Sequence, residues 1–107
     1  MNTTSTQELI ETTRELFKEH KSTLTLRELV DIQQELFEIN ILALVGIRQN
    51  TGYLTAETFI YNPEKSTVGK PHYDKVFSPF GFDSFKEALT KSIEQGLDNF
   101  SITQPKT

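Results

Sequence analysis

Apolar residues crowd into one stretch, Ile41 to Ile47 (ILALVGI), and alternate with polar ones in the next, Tyr53 to Tyr61 (YLTAETFIY). A short, unbroken run of branched residues is the pattern of a strand covered on both faces or nearly so, either central in its sheet or covered by helices. The alternating stretch is the pattern of a half-buried strand. Leu54, Ala56, Thr58 and Ile60 share one side, and Tyr53, Thr55, Glu57, Phe59 and Tyr61 the other. Glu57 marks that second side as the wet one. Between the runs, Asn50-Thr51-Gly52 predicts a type I turn at Asn50 and Thr51, with Gly52 left-handed at a bulge. Pro63 ends the second strand, because it cannot donate to a ladder. The pattern therefore predicts a β-hairpin over residues 41–61.

Three stretches carry a helical period instead. Ser5-Thr6-Gln7-Glu8 has the form of a capping box, and Leu9, Ile10, Thr13, Leu16, Phe17 and His20 follow on a thin stripe. This predicts a helix from Thr6 to Lys18, with Glu11–Arg14 and Glu15–Lys18 spaced to pair on its outer face. Thr25-Leu26-Arg27-Glu28 is a second capping box. Leu26, Leu29, Val30, Gln33, Leu36 and Phe37, with Ile32 beside them, predict a helix from Leu26 to Phe37. The short link Glu38-Ile39-Asn40 then packs that helix directly on the hairpin. The third stretch opens with Ser84-Phe85-Lys86-Glu87 and continues through Phe85, Ala88, Leu89, Ser92, Ile93, Gly96 and Leu97. It predicts a helix from Ser84 or Phe85 to Asp98. Its small residues, Ala88, Ser92 and Gly96, would let it lie close to the sheet, with Phe100 folding back on the core. Residues 1–4 and 101–107 are expected to be loose tails.

Residues 62–82 mix turn signals with aromatics. Tyr73 to Phe77 alternates weakly and is a candidate third strand. Phe77, Phe80 and Phe82, interleaved with Pro79 and Gly81, read as a connector pinned to the core by its rings. The fold expected is α+β: a two- or three-stranded antiparallel sheet packed with two N-terminal helices and one C-terminal helix, in a single domain over 1–107.

Composition narrows the chemistry. The chain has 107 residues and is 36% hydrophobic; eight Phe and three Tyr enlarge a core that would otherwise be small. There is no cysteine, which excludes disulfides, thiol catalysis and cysteine-ligated zinc. A cysteine-free chain whose first residues, MNTTSTQE, lack the layout of a signal peptide is expected in the cytoplasm. No apolar run is long enough to span a bilayer. The net charge of −4 disfavours a dedicated nucleic-acid binder, which needs a basic surplus.

Candidate sites are few. His72-Tyr73-Asp74 is the one cluster with acid–base character, and on an extended segment His72 and Asp74 share a side. His20 ends the first helix, where an imidazolium suits the helix dipole. Glu11, Glu15 and Glu19 form a carboxylate stripe, which is ordinarily a solvated helix face. Ser66-Thr67-Val68-Gly69-Lys70 resembles a phosphate loop but lacks its first glycine and the hydroxyl residue after the lysine. No catalytic residue, cofactor or metal is assigned. Two helices before a hairpin suggest a winged-helix layout, yet the helix at 26–37 sets Arg27 against Glu28, Asp31 and Glu35.

The junction residues Gln33, Leu36, Asn40 and Ile41, the step Phe82-Asp83-Ser84-Phe85-Lys86-Glu87-Ala88-Leu89, and Gly96-Leu97 carry a resemblance. Over roughly Leu26 to Leu97 the chain resembles a group of small uncharacterised proteins from gut-type Bacteroidetes and their phages. The resemblance implies a compact α/β sandwich and a mobile-element origin. It implies no activity.

The expectation is thus a small non-enzymatic protein-binding or regulatory module, bacterial or phage, of the kind that blocks a host factor. The alternatives are a DNA-binding accessory protein of winged-helix type and a small-ligand binder with a pocket lined by Tyr53, Phe59 and Tyr61. A protein partner would dock on the 62–82 segment through Lys65, Lys70, His72, Tyr73, Phe77 and Phe80. The aromatic side of the second strand needs a cover, and a homodimer is expected to supply it.

Overall fold

A computed structural model describes residues 3–78 and 81–103, and the side chains of 6–78 and 81–100. The element order is helix α1 (Thr3–His20), a 3-10 turn (Lys21–Thr23), helix α2 (Leu26–Glu38), strands β1 (Ile41–Ile47), β2 (Leu54–Tyr61) and β3 (Tyr73–Phe77), then helix α3 (Phe85–Thr103). The fold is α+β, with the candidate third strand present. Helix α1 starts at Thr3, so Ser5 lies inside it and is not its N-cap. Helix α3 likewise continues past Asp98, through residues 101–103.

The sheet is antiparallel, in the order β1-β2-β3. Of the two places expected for the first strand, central or helix-covered, it takes the second. The apolar run β1 is an edge strand, and the alternating β2 is central. Ile41 and Ala43 on β1 are buried, whereas Leu44 is 40% exposed and Ile47 62%. Helices cover only one face, so an uninterrupted apolar run does not imply burial on both sides. The shortest principal extent of the molecule is 19 Å, enough for one sheet and one helix layer. A second layer of helices would add roughly 10 Å more.

The hairpin loop spans Gln49–Gly52. Arg48 N–H donates to Tyr53 O at 2.8 Å, and Thr51 and Gly52 N–H both donate to Arg48 O. The turn thus starts one residue earlier than expected, with Gln49 and Asn50 central. Gly52 is left-handed as expected, at φ 78°.

Thr25 and Glu28 form the predicted capping box. Thr25 Oγ1 accepts Glu28 N–H at 3.1 Å, and Glu28 Oε1 accepts Thr25 N–H at 2.8 Å. Helix α2 buries Leu29, Ile32 and Leu36, but Leu26 and Phe37 are exposed. The buried stripe is therefore rotated toward Ile32. The cause lies at β1, where Gln33 Nε2 donates to Ala43 O at 2.6 Å. That bond seats α2 against the unpaired edge of the sheet and occupies one of its outward carbonyls.

Asn40 joins α2 to β1 with φ 68°, a left-handed conformation that asparagine tolerates better than most residues. Its carbonyl accepts Tyr61 N–H at 3.0 Å, so the hairpin register depends on this bend. Asn40→Gly is expected to fold as well as the parent, and Asn40→Val to lose about 1–3 kcal/mol in urea unfolding.

Helix α3 packs across β1 and β2. Ser84 Oγ accepts Glu87 N–H at its start, at 3.1 Å. Ala88, Leu89, Ser92, Ile93, Gly96 and Leu97 are buried as the stripe predicts, but Phe85 is 45% exposed. Phe100 packs against the core. Helix α1 adds Ile10, Thr13 and Phe17 to the same core. Arg14 does not pair with Glu11 as the spacing suggests. Its Nε donates to Leu97 O at 3.0 Å, and its Nη2 contacts the same carbonyl, tying α1 to α3.

A polar knot lies between α3 and the sheet. Thr58 Oγ1 donates to Ser92 O at 2.7 Å and accepts Gln95 Nε2 at 3.0 Å. Ser92 Oγ donates to Glu57 O at 2.9 Å, and Gln95 Nε2 also reaches Val76 O at 3.3 Å. Thr58→Val keeps the shape but leaves the buried Gln95 amide short of an acceptor. It should cost about 1–3 kcal/mol, read as a lower urea midpoint, while Thr58→Ser should lose less.

Candidate functional surface

Side chains alternate across the sheet, so the register decides which residues share its uncovered face. Leu42, Leu44 and Gly46 of β1 lie opposite Phe59, Glu57 and Thr55 of β2. Glu57, Phe59 and Tyr61 in turn lie opposite Phe77, Lys75 and Tyr73 of β3. These residues form the face turned away from the helices. Tyr61 and Tyr73 meet edge to face at 5.7 Å. Lys75 Nζ sits 5.7 Å from the Phe59 ring centre and 5.4 Å from that of Phe77. Such contacts hold the ammonium over the rings while leaving it wet.

The face is open at its middle and closed at one end. Leu44 is 40% exposed and Phe77 42%, whereas Thr55 is only 3% exposed. Glu57 leans back along the face, where Thr55 Oγ1 donates to its carboxylate at 3.3 Å. Gly46 makes room for it: a Cβ there would stand 2.5 Å from Glu57 Oε2. At the same end the connector is held by backbone pairing. Leu54 N–H donates to Phe82 O at 3.1 Å, and Phe82 N–H to Leu54 O at 2.8 Å. The expected ring anchoring is thus only part of the account, because Phe77 points to solvent.

The structure divides the residues expected to dock a partner. Tyr73 and Phe77 join the open face. Lys65, Lys70 and His72 are exposed around the 62–72 loop, next to the Tyr61–Tyr73 end of the face. Phe80 and Pro79 lie outside the described residues. Leu42, Leu44 and Lys75 complete the face and were not among the expected contacts. The signal for Lys75 was its two-residue spacing from Tyr73 and Phe77. Leu42 and Leu44 gave none, since their run read as covered on both sides.

The candidate chemistries find little support. His72 Nε2 does approach Asp74 Oδ1 at 3.4 Å, as their spacing suggested. Asp74 Oδ2 is held by Asn62 Nδ2 at 2.9 Å, and the pair sits at a strand end with the His72 side chain 46% exposed. The Ser66 hydroxyl is already engaged, donating to Asn62 O and accepting His72 N–H, each at 2.8 Å. The Ser66–Lys70 stretch closes on itself through Thr67 and Lys70 and opens no helix, so it does not form a phosphate loop. His20 is exposed and lies 3.7 Å from Glu19, off the buried stripe of α1. Among the described residues no group of His, Cys, Asp and Glu is placed to hold a metal ion.

Three surface grooves are lined by other residues than Tyr53, Phe59 and Tyr61. One of about 400 Å³ runs between Phe37 and Glu38 of α2 and Leu42 to Leu44 of β1. Another of about 500 Å³ lies between the 3-10 turn and α3. The third, about 340 Å³, lies around Arg14 and Glu94. No described helix is long and apolar enough to cross a membrane. No family model, curated protein or solved structure matches this chain.

Proposed function

We propose that the chain is a non-enzymatic protein-binding module of regulatory type, and that it binds through the open face of its sheet. The observation that carries this reading is the one-sided helix layer. It leaves Leu44, Phe59, Tyr61, Tyr73 and Phe77 gathered on one uncovered surface. Aromatic side chains on a rigid strand scaffold are the usual anchors of protein interfaces, because they bury large areas at little entropic cost. The loop residues Lys65, Lys70 and His72 border this face and would act as a polar rim.

Panning a displayed peptide library against the folded chain tests the reading. Most selected peptides should lose binding to a Leu44→Ser, Phe77→Ser double variant that melts like the parent. Peptides that bind both chains equally would overturn it.

The ring-flanked Lys75 also favours a second reading, in which unpaired nucleotide bases stack on the same face. Lys75 is the only cation on the face within the three strands, and the chain carries a net charge of −4. The winged-helix form of that reading needs a free recognition helix. Here α3 follows the sheet and lies buried across it, and α2 carries Glu28, Asp31, Glu35 and Glu38 against Arg27. No shift of a labelled single strand or duplex is expected in a low-salt gel assay.

A further inference from the structure

We propose that the open sheet face is occupied by the same face of a second copy of this chain, in a two-fold dimer where Lys75 of each copy meets Glu57 of the other. This deepens the protein-binding reading and rests on it. Within the three strands the face presents two charges, Lys75 and Glu57, and they cancel. The chain as a whole carries −4, so two copies repel each other at most approaches. A face whose strand residues carry no net charge is where that repulsion is least.

The two charges also lie on opposite sides of the face. Lys75 is held over Phe59 and Phe77, toward β3. The Glu57 carboxylate lies over Gly46, on β1. A two-fold axis in the plane between two such faces, running midway between the two charges and perpendicular to the line joining them, exchanges those sides and sets each ammonium against the opposite carboxylate. An isologous contact requires this kind of self-complementarity. Between the charges, Leu42, Leu44, Phe59 and Phe77 would supply the apolar centre of the contact. The aromatic pair Tyr61–Tyr73 would lie toward its edge.

Charge exchange provides the test, read by sedimentation equilibrium on the full chain. The wild type should approach twice the 12.3 kDa chain mass as concentration rises. Glu57→Lys and Lys75→Glu place like charges at both contacts, and each alone should weaken self-association by about tenfold or more. An equimolar mixture of the two variants should restore the dimer, because both contacts then pair opposite charges again. Lys75 is exposed and Glu57 half-buried, so Lys75→Glu should melt close to the wild type and Glu57→Lys somewhat below it, both cooperatively.

Three results would overturn the inference: a wild type that stays monomeric, single variants that dimerise like the wild type, or a mixture that fails to recover. The library experiment separates this failure from that of the underlying reading. If the chain is monomeric yet selected peptides depend on Leu44 and Phe77, the face binds another protein and only the self-pairing is wrong. If neither occurs, both fall.

Discussion

Ala43→Asp should abolish folding, and Leu44→Asp one residue along should not. Ala43 is 1% exposed, beneath the helix layer, and its carbonyl is bound by Gln33. A carboxylate there would be buried without a cation and would also overfill a closed site. Burying an unpaired charge costs several kcal/mol or more, against a total stability of about 5–15 kcal/mol for a domain of this size. Leu44 points to the opposite face and is 40% exposed. Its replacement should cost roughly 1 kcal/mol of monomer stability. Near-ultraviolet circular dichroism during heating distinguishes the two: a flat signal for Ala43→Asp and a cooperative transition for Leu44→Asp. The reverse ranking would mean that the faces of β1 are exchanged, and with them the whole open surface.

Gly96→Val is the other large effect expected. Helix α3 lies tight against β1 and β2 at Gly96, where a Cβ would stand 2.8 Å from Ile41 Cγ2 and 3.4 Å from Thr58 Cγ2. Both neighbours are fully buried. A valine would have to lift the helix off the sheet or force Ile41 from its rotamer, and would strain the Thr58–Ser92–Gln95 hydrogen bonds beside it. Overpacking of this kind costs about 1–3 kcal/mol, and disturbing the polar knot adds to that. Gly96→Ala should cost less, because alanine raises helix propensity by nearly 1 kcal/mol over glycine and so offsets part of the clash. Urea midpoints of the two variants would show this order. A Gly96→Val protein as stable as the parent would mean that α3 does not rest on Ile41.

Much of the architecture is local, and local physics is what a linear pattern records. Thr25 and Glu28 cap α2 as their spacing requires, Gly52 takes the left-handed turn position, and Ala88, Ser92 and Gly96 mark the side of α3 that meets the sheet. The alternation of β2 assigned Ala56, Thr58 and Ile60 to the core side, and all three are buried. The same alternation placed Phe59 and Tyr61 on the outer side, where both belong to the candidate surface.

What the pattern could not express is which element lies beside or above which. β1 has the composition of a central strand and is an edge, because burial depends on where the helices land and they land on one face only. Strand β3 supplies the other half of the surface. Its five residues alternate too briefly to identify a strand, and they gain their ladder only once β2 lies alongside. Phe37, Leu26 and Phe85 read as buried on helical stripes and are exposed, since a stripe gives a period but not its phase against a particular neighbour. Arg14 left its expected partner Glu11 for a carbonyl more than eighty positions away, at Leu97. The three helices, the hairpin, the Thr25 cap and the core side of β2 are thus legible in the chain itself. Strand order, the phase of the helical stripes and the uncovered face arise only on folding, because they follow from non-local packing, where each residue's surroundings are set by parts of the chain far from it.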